Sequence, residues 1–413
     1  MRTLVINIAT LAGISDSGKL RLQGKEMNTL RQISDAYLLI DDGLIADFGS
    51  MGDMPSSLLY SSAVVNADGG TVLPSWCDPH THIVYADSRE REFVDKINGL
   101  SYAEIAKRGG GILNSAAALH ALTEDELYRR AMRRITEIMN KGTGCVEVKS
   151  GYGLNTADEL KMLRVIRRIR DTCPLHVVST FLGAHAVGKP YSQSEYVNLV
   201  VSEMIPEVGR QQLADYIDVF CDQGFFTPDE TSRILEEGAK WGMRPKIHAD
   251  ELASSGGVAV GVAHNALSVD HLENMAESEI AILADTDTMP TLLPGTPFFL
   301  NMPYAPARKM IDSGLGIAVA SDYNPGSTPS GDMKFIVSLS CIKMHLSPAE
   351  AINAATLNAA YAMGFATDYG SITVGKVANF FITAPIPSVD YIPYAYTSPI
   401  IRHVFLKGER QNR

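Results

Sequence analysis

The stretch TVLPSWCDPHTH, residues 71–82, joins an apolar run to two histidines that stand one residue apart, His80 and His82. If the chain is a β-strand here, successive side chains point to opposite faces, so the two imidazoles share one face. Two imidazoles on one face can converge on a cation, or they can be an ordinary polar pair at a strand end. The fold and the other ligand types along the chain must decide between these interpretations.

The segments that follow this stretch alternate between helical and β-rich texture. Helical runs such as TEDELYRRAMRRITEIMNKG are separated by short apolar runs that predict strands. Counting TVLPSWCDPH as the first, the predicted strands are GCVEVKS, LHVVSTFLGAH, YIDVFCD, RPKIHAD, LSVDHL, TMPTLLP and GIAVASD. Eight β/α units in series predict an α/β protein with a closed parallel (β/α)8 barrel of the TIM type.

Both ends of the chain have a β texture without this alternation. Residues 1–65 contain TLVINIATL and DAYLLIDDGLIADFG, in which Asp42-Gly43 is a strong hairpin turn signal. The β-rich runs return late in the chain, in GSITVGKVANFFIT and IRHVFLKGE. We therefore expect a small β-sandwich domain built from residues 1–68 and 366–413, with a barrel catalytic domain, residues 69–365, inserted between its halves.

The composition of the chain restricts its partners and its compartment. The 413 residues carry a formal net charge of −11, and 46% hydrophobic with 20% charged residues is ordinary for a globular enzyme. This acidity disfavours nucleic acid and anionic membranes, and no apolar run approaches the ~18 residues of a membrane span. The five cysteines form no C-x-x-C pair and the N-terminus lacks a signal-peptide pattern, so we expect a cytoplasmic protein with reduced thiols.

Active sites of such barrels form at the carboxyl ends of the strands, and histidines are concentrated there. Five of the ten histidines in the chain fall at predicted strand ends: His80, His82, His185, His248 and His271. A catalytic metal site needs three or four nitrogen or oxygen ligands and an open position for water. His80, His82 and His248, together with Asp322 after the eighth strand, meet this requirement. The fourth strand has no lysine to bridge two metals, so we expect a single metal ion.

Other residues near these ligands have the chemistry to assist a hydrolysis. Asp322 could accept a proton from the attacking water, and His271 could orient that water or share its proton. Glu251 follows His248 by three residues and could carry a proton to a departing nitrogen, although a surface glutamate at a helix start is the alternative. His185 could polarise a substrate carbonyl; buried structural roles are the alternatives for both His185 and His271.

With these residues in place, the chain resembles the amidohydrolase superfamily and, within it, the imidazolonepropionases of histidine degradation. The resemblance rests on motifs between residues 78 and 326 that occur in the family's order: DPHTH, GLSYAEIAKRGGGI, EVKSGYGLN, LGAHA, KIHADE, VDHLE, LLPGTPF and ASDYNPG. The motifs KSGYGL, GGGI and DYNPG are specific to this family, whereas His-x-His is common to the superfamily. The flanking run ITVGKVANFFI is similar to the superfamily's small domain.

The resemblance implies hydrolysis of the cyclic amide C–N bond of 4-imidazolone-5-propanoate to N-formimidoyl-L-glutamate, with one zinc or iron ion per chain. It places the metal ion on His80, His82, His248 and Asp322. It implies substrate contacts from Arg89, Tyr152, His185, Glu251, Asn324, Gly326 and Ser327, with Tyr102 as a further candidate. Arg89 would pair its guanidinium with the propanoate; a surface salt bridge within DSREREF is the alternative.

Two other functions fit parts of this pattern. A cyclic-amidine deaminase of the same superfamily would use the same metal ligands and Glu251 but would release ammonia. The motifs KSGYGL and DYNPG, with Arg89, favour a substrate that carries a carboxylate. An inactive barrel that serves as a binding scaffold would be expected to have lost ligands, and all four are present. We expect a small-molecule substrate and no nucleic-acid or membrane partner, and a homodimer is left open.

Overall fold

The computed structural model describes residues 2–100, 104 and 110–411. Its strands are β1 (Arg2–Ile14), β2 (Arg31–Asp41), β3 (Leu44–Ser50), β4 (Ala63–Asn66), β5 (Thr71–Pro74), β6 (Trp76–Asp78), β7 (Thr143–Lys149), β8 (His176–Ala184), β9 (Tyr216–Cys221), β10 (Arg244–Pro245), β11 (Ile247–Ala249), β12 (Ser268–His271), β13 (Met289–Leu292), β14 (Ala318–Val319), β15 (Phe380–Thr383), β16 (Ile401–Leu406) and β17 (Glu409–Arg410).

Helices connect most of these strands. They are α1 (Leu58–Ser61), α2 (Glu90–Ile97), α3 (Ile112–Ala121), α4 (Glu124–Asn140), α5 (Thr156–Thr172), α6 (Gln193–Leu199), α7 (Ile205–Arg210), α8 (Pro228–Lys240), α9 (Gly257–Ala263), α10 (Glu277–Leu283), α11 (Gly295–Leu300), α12 (Ala307–Asp312), α13 (Met333–Met344), α14 (Pro348–Ala354), α15 (Leu357–Ala362) and α16 (Tyr391–Tyr394). None of the helices in the described part of the chain combines the length and apolarity needed to cross a membrane.

The central sheet is a parallel barrel. Its strands lie in the order β6-β7-β8-β9-β11-β12-β13-β14, and β10 pairs with β9 at the start of the fifth unit. Backbone hydrogen bonds join the two ends of this sheet, because Asp322 N donates to His80 O and His82 N donates to Tyr323 O, each at 3.0 Å. The predicted (β/α)8 architecture is therefore confirmed.

The barrel helices bury one apolar face each against the strands. In α4 the buried residues Leu127, Ala131, Ile135 and Ile138 recur at the spacing that places them on one side of a helix. Helix α15 packs against residues that begin inner strands, such as Tyr216, so the amino end of the barrel is filled with apolar side chains. The carboxyl end is left for the polar residues that the sequence places there.

The two ends of the chain form a second, mixed sheet. Its strands lie in the order β17-β16-β15-β5-β1-β2-β3, with β4 beside β1. The sheet curls on itself, because Ile45 N donates to Lys376 O and Ala378 N donates to Gly43 O, both at 2.8 Å. The curled sheet encloses an apolar core that includes Ile8 and Phe380. The predicted hairpin at Asp42-Gly43 is present, and both residues adopt the positive φ that such a turn requires.

The stretch TVLPSWCDPH was expected to form the first barrel strand, but its residues are divided between the two sheets. Strand β5 pairs with β1 and β15 in the mixed sheet, and only β6 belongs to the barrel. Pro74 cannot donate a backbone hydrogen bond, so the ladder of β5 ends there. Ser75 N then donates to Asn379 O and Trp76 N donates to Gly142 O, which moves the chain from one sheet to the other.

Candidate active site

Strand alternation brings the predicted metal ligands together at the carboxyl end of the barrel. His80 and His82 follow β6, His248 lies in β11, and Asp322 follows β14; all four are at most 2% exposed. Asp322 has a φ of 53°, a left-handed conformation that side-chain-bearing residues adopt rarely. Such backbone strain is concentrated at functional sites, and here it aims the carboxylate at the histidines.

The distances among these side chains suit one metal ion. His80 Nε2 lies 3.3 Å from His82 Nε2, and Asp322 Oδ1 lies 3.7 and 3.6 Å from these two nitrogens. Donor atoms about 2.1 Å from a tetrahedral ion are separated by roughly 3.4 Å. His248 joins His80 and His82 with ligand atoms within 4.8 Å of one another, and its buried Nε2 has no hydrogen-bond partner. The donor set therefore fits a divalent metal ion.

Two aspartates lie against the outer nitrogens of two of these histidines. Asp270 Oδ2 lies 2.6 Å from His80 Nδ1, and Asp218 Oδ2 lies 2.9 Å from His248 Nδ1. Carboxylates in this position fix the tautomer and the ring orientation of a metal-binding histidine. The sequence analysis missed both aspartates, although the period-2 alternation of YIDVFC and SVDH places them on the inward face of their strands.

The floor of the barrel below these aspartates carries buried charges of both signs. Lys149 Nζ donates to Glu147 Oε1 at 2.6 Å and to Asp218 Oδ2 at 2.8 Å, and Lys246 also pairs with Glu147. Burial penalises the charged forms, but the surrounding carboxylates outweigh it and raise the pKa of Lys149. Burial likewise opposes ionisation of Asp218, and His248 and Lys149 outweigh it and lower the pKa of that carboxyl.

His271 lies between two glutamates, Glu251 and Glu273, beside the ligands. His271 Nε2 lies 3.6 Å from Glu251 Oε2, and its Nδ1 lies 3.4 Å from Glu273 Oε2. Burial raises the pKa of Glu251 to about 7. Burial alone would lower the pKa of His271, but Glu251 and Glu273 outweigh it and raise this pKa well above its usual value. His271 could also ligate a metal, since it groups with His80 and Asp322 within 4.8 Å.

A cavity of about 520 Å³ opens above the ligands. This volume lies within the range of small-molecule sites. Every residue predicted for the site lines the cavity except two: His80 lies beneath its surface, and Tyr102 lies outside the described residues. Phe220, Phe225 and Lys96 also line the cavity and were missed by the sequence analysis.

The cationic side of the cavity is formed by Arg89 and Lys96. Arg89 donates from Nε and Nη2 to the same Glu92 oxygen, at 2.9 and 2.6 Å, so one edge of its guanidinium is already occupied. Lys96 Nζ donates to Gly326 O at 3.3 Å, and no ion pair joins it to a carboxylate in the described part of the chain. Since the charges of Arg89 and Glu92 cancel, Lys96 supplies the surplus positive charge among the described residues of this side of the cavity.

The loop that follows Asp322 is organised by Asn324. Its Nδ2 donates to Asp322 O and to Ser327 Oγ, both at 2.7 Å, and its Oδ1 accepts from Gly326 N and Ser327 N. The side chain is thus fully engaged within its own loop. A Cβ at Gly326 would lie 2.4 Å from Arg89 Nη1, so only glycine lets the loop approach the guanidinium this closely.

His185 faces the ligands from the end of β8. Its ring stacks on His82 with centroids 5.2 Å apart, and its Nδ1 lies 3.1 Å from Gly151 O. Burial lowers the pKa of His185 to about 3, so the imidazole is neutral. Because Nδ1 must be the donor to Gly151 O, Nε2 is left as an acceptor. Tyr152 lies beside this ring, with centroids 5.5 Å apart, and also lines the cavity.

This fold and this cluster of histidines and acids agree with what comparison with known proteins finds. The model of the amidohydrolase family matches residues 71–410, and the chain belongs to that family. A solved triazine hydrolase variant shares the fold with a TM-score of 0.75 at 15% identity, covering 99% of this chain and 94% of its own.

Two relatives show to which group of amidohydrolases the chain belongs. The chain is 50% identical to the imidazolonepropionase of Flavobacterium johnsoniae and 51% identical to that of Christiangramia forsetii. Each alignment spans 411 residues and covers 99% of this chain and 100% of the relative. Within the amidohydrolases, the chain therefore belongs to the imidazolonepropionase family.

Proposed function

We propose that this protein hydrolyses the ring C–N amide bond of 4-imidazolone-5-propanoate to give N-formimidoyl-L-glutamate, a reaction of histidine degradation. Full-length identity of about half to imidazolonepropionases supports this function. The observation in the site that carries it is the juxtaposition of a histidine–aspartate cluster with a cavity side that has surplus positive charge. A cyclic amide that bears a carboxylate fits both features.

We propose that His80, His82, His248 and Asp322 hold one zinc or iron ion. Nitrogen and oxygen donors of this kind suit either metal. When bound there, the ion would act as a Lewis acid on the substrate carbonyl and lower the pKa of a water molecule. Side chains of the protein would transfer the protons and orient the substrate.

Asp322 would take the proton of the attacking water. Its Oδ2 accepts from Thr296 Oγ1 at 2.6 Å and from Ser327 Oγ at 3.1 Å, which leaves Oδ1 directed towards the histidines. Glu251, with a pKa of about 7, can be protonated at neutral pH and can deliver that proton to the ring nitrogen that leaves. His271 lies beside Glu251 and would share the proton with it.

The substrate would be oriented by the cavity sides. The neutral His185, with Nε2 as an acceptor, suits the N–H of the imidazolone ring better than the carbonyl that the sequence analysis assigned to it. Arg89 and Lys96 would face the propanoate, and Tyr152 would lie against the ring. Since the side chain of Asn324 is engaged in its loop, contacts from Asn324, Gly326 and Ser327 would come mainly from the backbone and the Ser327 hydroxyl.

Product analysis tests this proposal. The purified protein is incubated with 4-imidazolone-5-propanoate and, separately, with cyclic amidines, and the products are identified by NMR while ammonia is measured. We expect N-formimidoyl-L-glutamate from the first substrate, with no ammonia from any. Ammonia release from an amidine, without turnover of the imidazolone, would assign the protein to the deaminases instead.

A further inference from the structure

Two lysines are completely buried in the barrel below the histidines. Lys149 ends β7 and Lys246 precedes β11, and both have 0% exposed side chains. Both pair with the same carboxylate, Glu147, one with each oxygen. Burying an ammonium group is costly unless its charges and hydrogen bonds are satisfied, so each lysine must have specific partners.

The partners of the two lysines differ. Lys246 Nζ otherwise donates to backbone carbonyls, Pro79 O at 3.0 Å and Ala362 O at 3.3 Å. Lys149 Nζ instead reaches two carboxylates, with Asp218 Oδ2 at 2.8 Å and Asp270 Oδ2 at 3.5 Å. Lys246 therefore contacts one carboxylate and two backbone carbonyls, whereas Lys149 contacts three carboxylates.

The two oxygens that Lys149 reaches also contact the proposed metal ligands. Asp218 Oδ2 lies 2.9 Å from His248 Nδ1, and Asp270 Oδ2 lies 2.6 Å from His80 Nδ1. One ammonium is thus connected to two imidazole rings, through a single oxygen on each side. Ser268 Oγ donates to the other oxygen of Asp270, and His248 N donates to the other oxygen of Asp218.

We propose that Lys149 is a positioning residue that sets the orientation of His80 and His248 through Asp270 and Asp218. The inference rests on the proposed metal site. With the ammonium in place, each carboxylate stays turned towards an Nδ1–H, and each Nε2 points at the common centre. Without it, Asp218 and Asp270 lose the ammonium that both contact, and their carboxylates can rotate away from the rings. Loss of such outer partners typically weakens metal affinity about 10- to 100-fold.

The test compares Lys149→Met with Lys246→Met as a matched control. Both substitutions remove a buried ammonium that pairs with Glu147, but only the first removes contacts to Asp218 and Asp270. Zn²⁺ affinity is measured by competition with a chelator, and thermal stability is measured alongside. We expect Lys149→Met to weaken Zn²⁺ binding by about 10- to 100-fold, and Lys246→Met to leave it within about threefold of wild type.

A charge-balanced variant covers the case in which Lys149→Met fails to fold. Lys149→Met/Glu147→Gln removes one positive and one negative charge from the interior together, and Lys246→Met/Glu147→Gln is its control. The Co²⁺-substituted proteins are compared by visible absorption, which reports ligand geometry. We expect an altered spectrum only in the Lys149 double variant.

The outcomes separate this inference from the function on which it rests. Wild-type protein that binds none of Zn²⁺, Co²⁺ and Fe²⁺ would overturn the metal site itself. Wild-type binding of one equivalent, with equal affinities and spectra in the Lys149 and Lys246 variants, would reduce Lys149 to a structural charge and overturn the positioning role. Neither measurement requires substrate, so a wrong substrate assignment would not affect the result.

Discussion

The floor and the cationic side of the site are held in different ways. The floor of the site, made of His80, His248 and the aspartates and lysine beneath them, lies on strands β7, β9, β11 and β12 and directly after β6, and its side chains are at most 3% exposed. The cationic side, made of Arg89, Lys96 and the loop 324–327, lies on the two ends of helix α2 and on a loop, and the side chains of Arg89 and Lys96 are more accessible than those of the floor. Strand register fixes the floor, whereas side-chain hydrogen bonds fix the cationic side.

This difference separates two tasks. A rigid, charge-compensated floor can hold a cation and the groups that move protons, because hydrogen bonding between neighbouring strands fixes the positions of its side chains. A side built from long cationic side chains can adjust to a carboxylate, but water partly screens its more exposed contacts, such as those of Lys96. We therefore expect changes near the floor to act mainly on kcat and changes on the cationic side to act mainly on KM.

Asp322→Asn should have the largest effect. An amide cannot accept the proton of the attacking water, so kcat should fall by about 10³-fold, within the range that a general base contributes. The hydrogen bonds from Thr296 and Ser327 can still reach an amide oxygen, so the melting temperature should stay within a few degrees of wild type. A variant that retains half of the wild-type kcat would show that Asp322 is not in the reacting site.

Glu251→Gln should cause the second-largest decrease in kcat and should also change the pH dependence of kcat. If Glu251 donates its proton to the leaving nitrogen, the active form is protonated, and the fraction in that form falls as the pH rises through its pKa of about 7. Wild-type kcat should therefore decrease above neutral pH. Glutamine cannot donate this proton, so kcat should fall by about 100-fold and this alkaline limb should disappear.

Glu273→Gln provides the control for that limb. The charge of Glu273 contributes to the raised pKa of Glu251, so its removal should move the limb to lower pH without abolishing turnover. A pH–rate profile that is identical in wild type and Glu251→Gln would exclude Glu251 as the proton donor.

The floor was more predictable from the sequence than the cationic side. The His80-x-His82 pair, His248 and Asp322 stand at strand ends, where period-2 alternation and barrel geometry determine which side chains converge. Asp218 and Asp270 follow the same period-2 alternation. They were not predicted, because no neighbouring residue in the sequence marks either of them as part of the site. Lys96 could not be found this way, because its place in the cavity depends on how α2 packs and on where the carbonyl of Gly326 lies.

Arg89→Gln tests the cationic side at its guanidinium group. Removing one partner of a desolvated charge pair costs on the order of 2–5 kcal/mol, so kcat/KM should fall at least tenfold. Arg89→Lys should be intermediate, because an ammonium keeps the charge but loses the planar fork. The substitution also leaves Glu92 without its guanidinium, so Arg89→Gln/Glu92→Gln distinguishes loss of attraction from added repulsion. Unaltered kcat/KM and metal content in Arg89→Gln would leave this residue with a structural role.

Lys96→Met should have the smallest effect and the most specific one. Lys96 supplies the surplus positive charge, but it is only half-buried and water screens it. Burial and the neighbouring Arg89 lower the pKa of Lys96. A bound carboxylate would offset both effects, because it would neutralise the two neighbouring cations. We expect KM for the propanoate substrate to rise about fivefold, with kcat within about twofold of wild type.

Three comparisons make the Lys96 prediction decisive. Arg91→Met removes a positive charge from an exposed position of the same helix and should leave KM unchanged. Lys96→Arg keeps the charge and should restore most of the affinity. A substrate analogue with a propanamide in place of the propanoate should show the same KM in wild type and Lys96→Met, because it offers no carboxylate for the ammonium to attract. If Lys96→Met weakened both substrates equally, the ammonium would act by packing against the loop carbonyl of Gly326 rather than by charge.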